Sequence, residues 1–261
     1  VKEALFAALQ HLLAIFVGII TPPLIICGAL KTNLETTGFM VSMALFVSGI
    51  ATFIQCKKVG PFGSGLLCIQ GTSFSFIGPI ISAGQVGGLP LIFGVCMAAS
   101  PVEMIVSRTF KYLRHIITPL VSGIVVLLIG LSLIKVGVVS CGGGYPAMSN
   151  GTFGSIENVG LAAIVLGSVL FFNRCKNKYL RMSSIVLGLC IGYGVAFAMG
   201  KVDFAKAATT DLWAFNIPMP FKYGLDFNFS SFIALALIYL ITAIEATGDV
   251  TANSMISGEP I

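Results

Sequence analysis

Three acidic side chains fall within or beside the long apolar runs of this sequence: Glu103, Glu245 and Asp249. A carboxylate at the centre of a membrane helix costs on the order of 3 kcal/mol on insertion scales, so each one asks for a chemical reason. Glu103 stands one helical turn before Arg108 and a basic loop, which suits a paired or snorkelling side chain. Glu245 and Asp249 differ. In "LIYLITAIEATGDVTANS" they are four residues apart and leave the same helix face, with Thr242 nearby and Gly248 opening space beside them. A carboxyl group at the depth of Glu245 can accept hydrogen bonds from a ligand's N–H groups, and it can take a proton from one side and release it on the other. That is the minimum chemistry of a proton-coupled carrier. Two carboxylates on one helix, without a partner from another run or a cluster of histidines, make a weak constellation for hydrolysis. Gln10 and His11 in "LFAALQHLLAIF" leave two readings open: a hydrogen bond to a neighbouring carbonyl, or contact with a ligand. His115 follows a basic loop and reads as interfacial.

A second feature is "GSGLLCIQGTSFSFIGPIISAG", residues 63–84, which has the length of a membrane helix and no charge, yet is full of glycine and hydroxyl residues. Irregular backbone is tolerated at membrane depth only where it is buried in protein or lines a cavity. Secondary transporters place such broken segments at the midplane, where exposed N–H groups and short side chains meet the substrate. The pattern predicts an extended piece followed by a short helix, with Thr72 or Ser73 as its cap. A small-residue packing face is the competing reading. Gln70, the three hydroxyls and the two phenylalanines that follow favour a cavity.

These residues need a scaffold, and the composition says which kind. Hydrophobic residues are 56% of the chain, charged ones 10%, and the mean hydropathy is +0.99. A soluble domain averages roughly 25% charged residues, and about 20 apolar residues cross a bilayer. The fold class is therefore an all-α polytopic membrane protein. About eight segments are expected, near 4–29, 37–55, 62–83, 87–107, 117–138, 158–173, 183–200 and 230–248, the first kinked or ended by Thr21-Pro22-Pro23. The third is the discontinuous one.

Loop charge sets the expected sidedness. Ten basic residues fall on one side (Lys2, Lys57, Lys58, Arg108, Lys111, Arg114, Arg174, Lys176, Lys178, Arg181) and five on the other (Lys31, Lys135, Lys201, Lys206, Lys222). The N-terminus is accordingly expected in the cytoplasm. This distribution accounts for the net charge of +5 without nucleic acid. The seven cysteines are scattered and lie mostly in apolar runs, as buried hydrophobes do, so neither a disulfide framework nor a metal site is expected. The glycine-rich loop "CGGGYPAMSNGTFG" has no lysine at phosphate-loop spacing. Trp213, Phe215, Phe221, Tyr223, Phe227 and Phe229, in the connection 201–229, read as an interfacial aromatic belt.

The stretches "LQHLLAIFVGIITPPLI", "GSGLLCIQGTSFSFI", "VSGIVVLLIGLSLIKVG" and "YLITAIEATGDVTANSMIS" resemble, in register, the nucleobase–ascorbate transporters, or nucleobase:cation symporters, and among them the bacterial xanthine permeases. The resemblance runs from about residue 4 to the last. It implies fourteen segments in two inverted seven-helix repeats, with a short strand and a half-helix in the third and tenth. The 261 residues would then be one transmembrane region, the first repeat at about 1–200 and the first helix of the second at about 230–261, an N-terminal fragment of the family's full length. It also implies uptake of a purine base, xanthine or urate, by proton symport through a homodimer in the cytoplasmic membrane, with no enzymatic activity and no cofactor. Glu245 would hold the base through its ring N–H groups, and Asp249 would support the site or the proton coupling. Ser73 and Phe74 would line the pocket, and His11 would stabilise it from the first helix.

Two departures qualify this picture. The family's signature motif in the tenth segment lies beyond residue 261, and xanthine-selective members carry Asn where Ser73 stands here, which leaves the choice among purines open. So is the choice between H⁺ and Na⁺, because no cation-specific ligand cluster is visible. An anion carrier of the sulfate or bicarbonate type would share the architecture but would want a basic or dipole-based pocket in place of Glu245. An intramembrane hydrolase is the reading from another class.

Overall fold

The computed structural model describes residues 2–113, 119–202, 219 and 221–258. Arg114, His115, Lys206, Trp213 and Phe215 lie outside the described residues, as do the side chains of Gln10 and Lys111. Nine α-helices are described: α1 Lys2–Ala29, α2 Leu34–Lys57, α3 Ile77–Leu113, α4 Pro119–Cys141, α5 Gly144–Ser149, α6 Ile156–Asn173, α7 Lys178–Met182, α8 Ser184–Ala198 and α9 Phe229–Ser257. A 3₁₀ turn, Phe74–Phe76, leads into α3. Among the described residues, five helical stretches are long and apolar enough to span a membrane: His11–Ala29, Leu34–Lys57, Phe74–Thr109, Ile156–Asn173 and Phe229–Ser257. Their side chains are largely unburied, and on α4 Leu127, Leu128, Leu131, Ile134 and Val138 all stand exposed. Apolar surface on this scale has lipid as its solvent. The chain is a multi-pass helical membrane protein.

The residues gather into two compact units, Val1–Gly18 with Val136–Ile217, and Ile19–Lys135 with Pro218–Ile261. In the first, α8 packs on α6 through small residues four apart. Ser184, Gly188 and Gly192 are buried, and a β-carbon at Gly188 would strike Val169, one at Gly192 Val165. Without a hydrophobic drive between helices in lipid, such close backbone approach is what holds them. Beside it, the glycine-rich loop is tied by Asn158, whose amide donates to the carbonyls of Gly142 and Thr152, both at 3.2 Å, and by Lys201, which reaches Asn158 Oδ1 at 2.8 Å and Glu157 at 3.0 Å.

In the second unit α9 lies along α3. Leu91, Val95, Ala99 and Leu235 form its fully buried centre, with Phe76, Ile80, Phe232 and Tyr239 around it. Asn228 caps the start of α9 by accepting the Ser231 N–H at 3.1 Å, and the helix ends on Gly258 at φ 71°. Phe221, Tyr223, Phe227 and Phe229 are described from the expected aromatic belt. Tyr223 is packed between rings, stacked on Phe93 at 5.8 Å and edge-on to Phe39 at 5.9 Å.

The elements differ from expectation in two places. The proline pair does not end the first segment: α1 continues through Pro22 and Pro23 to Ala29. The carbonyl of Ile19, whose helical partner would be the missing N–H of Pro23, instead accepts the Thr72 hydroxyl at 2.9 Å. The division between the third and fourth expected segments has a counterpart: α3 is a pair of helices separated by a break close to where the fourth expected segment begins. Its break falls at Gly87 and Gly88, and Gly88 takes φ 66°, ψ −159°, a conformation that only glycine adopts readily. Finally, no strand occurs among the described residues. Residues 63–73 are non-helical, and an isolated bridge between Val59 and Phe62 is the nearest thing to a ladder. A strand needs another extended chain alongside; here the segment's backbone groups are met by helix side chains instead.

Candidate functional site

The segment 63–76 is held along its length by α1, α2 and α9. From α2, the Thr52 hydroxyl accepts the Gln70 N–H at 2.9 Å, while Ser48 and, at 3.5 Å, Thr52 donate to the Gln70 carbonyl. Gly65 N–H reaches the Gln55 carbonyl at 2.9 Å, and the Gln55 amide donates to Ser64 Oγ at 2.6 Å. From α1, the Ile19 carbonyl takes Thr72. All of these bonds but that between Gln55 and Ser64 answer the same need, because a backbone group without a partner in hydrocarbon costs several kcal/mol.

The remaining side faces α9. Glu245, Asp249 and Asn253 recur every four residues and form one polar stripe. The Glu245 carboxyl lies near the Ser75 hydroxyl, Asp249 is within electrostatic range of Glu245 and Cys68, and Asn253 Nδ2 donates to the Leu67 carbonyl at 2.9 Å. One turn and a half before Glu245, Tyr239 packs edge-on to Phe76 at 4.8 Å and donates to the Cys96 carbonyl at 3.3 Å. Segment and helix therefore run antiparallel, with residue numbers falling along one as they rise along the other.

Ser73 is the cap of the 3₁₀ turn: its Oγ accepts the Ser75 N–H at 3.3 Å, with its backbone extended at φ −95°, ψ 135°. Phe74, half-buried, opens the turn. Ser75 Oγ is buried and makes no hydrogen bond of normal geometry to protein, although Glu245 is beside it. The structure thus brings Glu245, Asp249, Ser73 and Phe74 into one unit around the broken segment. His11 is an exposed position on the part of α1 that belongs to the other unit. Glu103 lies within electrostatic range of Tyr239, on α3 seven residues beyond Cys96. A separate cleft of about 300 Å³, lined by Ala51, Ile54, Gln55, Val59, Phe62 and Gln70, opens on the α2 side of the segment and not at Glu245.

Sequence reasoning missed Ser75, Tyr239 and Asn253 as members of this arrangement. Asn253 had a signal, since it continues the spacing of Glu245 and Asp249 by one more turn. Ser48 and Thr52 had none, because a serine and a threonine on an apolar helix look alike whether they bond within their own helix or across to another.

The broken segment is gripped by hydroxyls of α2 and the Ile19 carbonyl of α1, and faced by the carboxylate stripe of α9. A family model described as a permease family matches residues 2–261. The chain belongs to that family, the nucleobase–ascorbate transporters. It is 47% identical to xanthine permease XanP of Escherichia coli strain K12 over 99% of its own length, and 46% identical to xanthine permease XanQ of the same strain, also over 99%. Uric acid permease PucJ of Bacillus subtilis strain 168 is 33% identical over 97% of the chain. The chain spans 58%, 57% and 57% of the lengths of these three relatives. Permeases move solutes without making or breaking bonds in them, and the hydrolase reading falls with that membership.

Proposed function

We propose that the chain is part of a secondary active transporter that takes up a purine base, xanthine or urate, by proton symport across the cytoplasmic membrane. The observation that carries this reading is the Glu245 carboxyl beside the Ser75 hydroxyl, on a broken segment within a permease family whose relatives include xanthine and uric acid permeases. A purine dione presents ring N–H donors next to carbonyl acceptors. Glu245 accepts from the N–H groups, a backbone or hydroxyl donor of the segment 73–75 meets a carbonyl, and Phe74 packs on the ring. Asp249, one turn away, supports the carboxyl of Glu245 and its exchange of a proton. His11 has a supporting role in solute binding.

In this reading the third membrane segment is discontinuous, entering as extended chain and continuing as the half-helix before Gly87. The N-terminus is cytoplasmic, the chain supplies a first seven-helix repeat and the start of a second, and the transporter works as a homodimer. The test uses the reading frame that contains this sequence, in cells without purine carriers of their own. Uptake of labelled xanthine should fall when an uncoupler collapses the proton gradient and should vanish with Glu245→Gln. Uptake driven instead by a sodium gradient would replace the coupling ion. Uptake untouched by Glu245→Gln would remove the central residue, and transport of sulfate or bicarbonate with no base uptake would replace the substrate.

A further inference from the structure

The bond between α1 and the broken segment follows from two prolines. In an α-helix the N–H of each residue meets the carbonyl four positions earlier. Pro23 has no N–H, so the carbonyl of Ile19 loses its helical partner. Thr72 Oγ1 stands 2.9 Å from that oxygen, across 53 residues of sequence. The approach is close on both sides. Ile19 is 5% exposed, and a β-carbon at Gly71 would lie 3.1 Å from Ile19 Cγ1, tighter than ordinary packing allows. A glycine at 71 lets the backbone in, and the threonine at 72 fastens it. Ser73, the cap of the 3₁₀ turn, is the next residue, and Phe74 the one after.

We propose that Thr72 is a positioning residue: its hydroxyl latches the segment to the proline turn of α1 and thereby sets where Ser73 and Phe74 meet the solute. The proposal rests on the purine-carrier reading for its solute but not for its geometry. The latch explains why an interrupted helix pairs with a proline-containing one, since each supplies what the other lacks. Pre-organised contacts shifted out of place are felt first as weaker binding.

The test is a cycle of four proteins made from the full reading frame: wild type, Thr72→Val, Pro23→Ala and the double variant, with Thr72→Ser beside them. Labelled xanthine uptake is measured for KM and for maximal rate per transporter in the membrane. Thr72→Val should raise KM roughly tenfold while the maximal rate stays within about twofold, the size expected for one buried group left unpaired. Thr72→Ser keeps the hydroxyl and should stay near wild type. Pro23→Ala returns an N–H to Ile19, so the double variant should recover most of what Thr72→Val loses. A KM unchanged in Thr72→Val, or a double variant no better than Thr72→Val, overturns the latch. If Thr72→Val does not reach the membrane, its rescue by Pro23→Ala supports the proposal and failure of that rescue overturns it. If wild type takes up no base, the purine reading fails separately. The cycle is then read from melting temperatures in detergent, where recovery in the double variant supports the latch and additive loss overturns it.

Discussion

Thr52→Val removes one oxygen and keeps the shape of the side chain, which isolates what the hydroxyl does. In the structure it accepts the Gln70 N–H at 2.9 Å and reaches the Gln70 carbonyl at 3.5 Å, a carbonyl that also receives Ser48. The substitution strips the N–H of this partner but leaves the carbonyl with Ser48. The loss is one unsatisfied buried donor, about 1–3 kcal/mol, or roughly a 5- to 150-fold change in the equilibrium it enters. Ser48→Ala leaves Thr52 in place and should cost less. The assay is the apparent melting temperature of the purified full-length product in detergent, followed by purine uptake per transporter. The expected order is wild type, then Ser48→Ala, then Thr52→Val, with Thr52→Ser near wild type. A Thr52→Val protein that melts with wild type, or one more stable than Ser48→Ala, would refute the claim that α2 side chains replace a strand ladder.

Other outcomes follow from the same packing. Asn253→Leu removes the donor to the Leu67 carbonyl and should cost about 0.5–1.5 kcal/mol; equal melting of variant and wild type would show that α9 does not hold that end of the segment. Gly188→Leu must push Val169 away, and overpacking of that kind costs typically 1–3 kcal/mol, so low membrane abundance is expected, against normal abundance for Gly194→Ala, where nothing crowds the site. Lys222→Met breaks a 4.0 Å pair with Glu35 that is largely exposed, and uptake should move by less than about twofold. A tenfold loss there would mean that Lys222 acts on the solute.

What was legible in the sequence followed from composition and spacing. The membrane class, the interruption before Phe74 and the shared face of Glu245 and Asp249 are all local patterns. What was not legible depends on partners distant in the chain. A Pro-Pro pair predicts a break unless something supplies the freed carbonyl, and Thr72 lies 53 residues away. The division between the third and fourth segments, by contrast, is local: the backbone of α3 leaves helical geometry at Gly87 and Gly88. Ser73 was readable as a cap, because a cap depends on residues only two positions off. Ser75 was not readable as the group beside Glu245, because nothing in the sequence says which face of α9 meets which turn.

The path of the broken segment can be argued from lengths alone. Leu67 meets Asn253 and Phe76 meets Tyr239, and those two residues of α9 are about 21 Å apart along the helix axis at 1.5 Å per residue. A chain running fully extended from residue 67 to residue 76 would cover about 30 Å at 3.3 Å per residue. The segment must therefore bow away from α9 between these two points. The bonds mark where it goes: Gln70 to Thr52 on α2, then Thr72 to Ile19 on α1, before the turn at Ser73 brings it back. A bow pinned at its outer edge by two helices and at its ends by a third keeps its shape without a ladder. It also presents the returning stretch, Ser73 to Ser75, to Glu245. Loosening either outer pin should then reach the residues beside Glu245 before it unfolds any helix, which is why uptake KM is the more sensitive measurement for Thr72 and Thr52 alike.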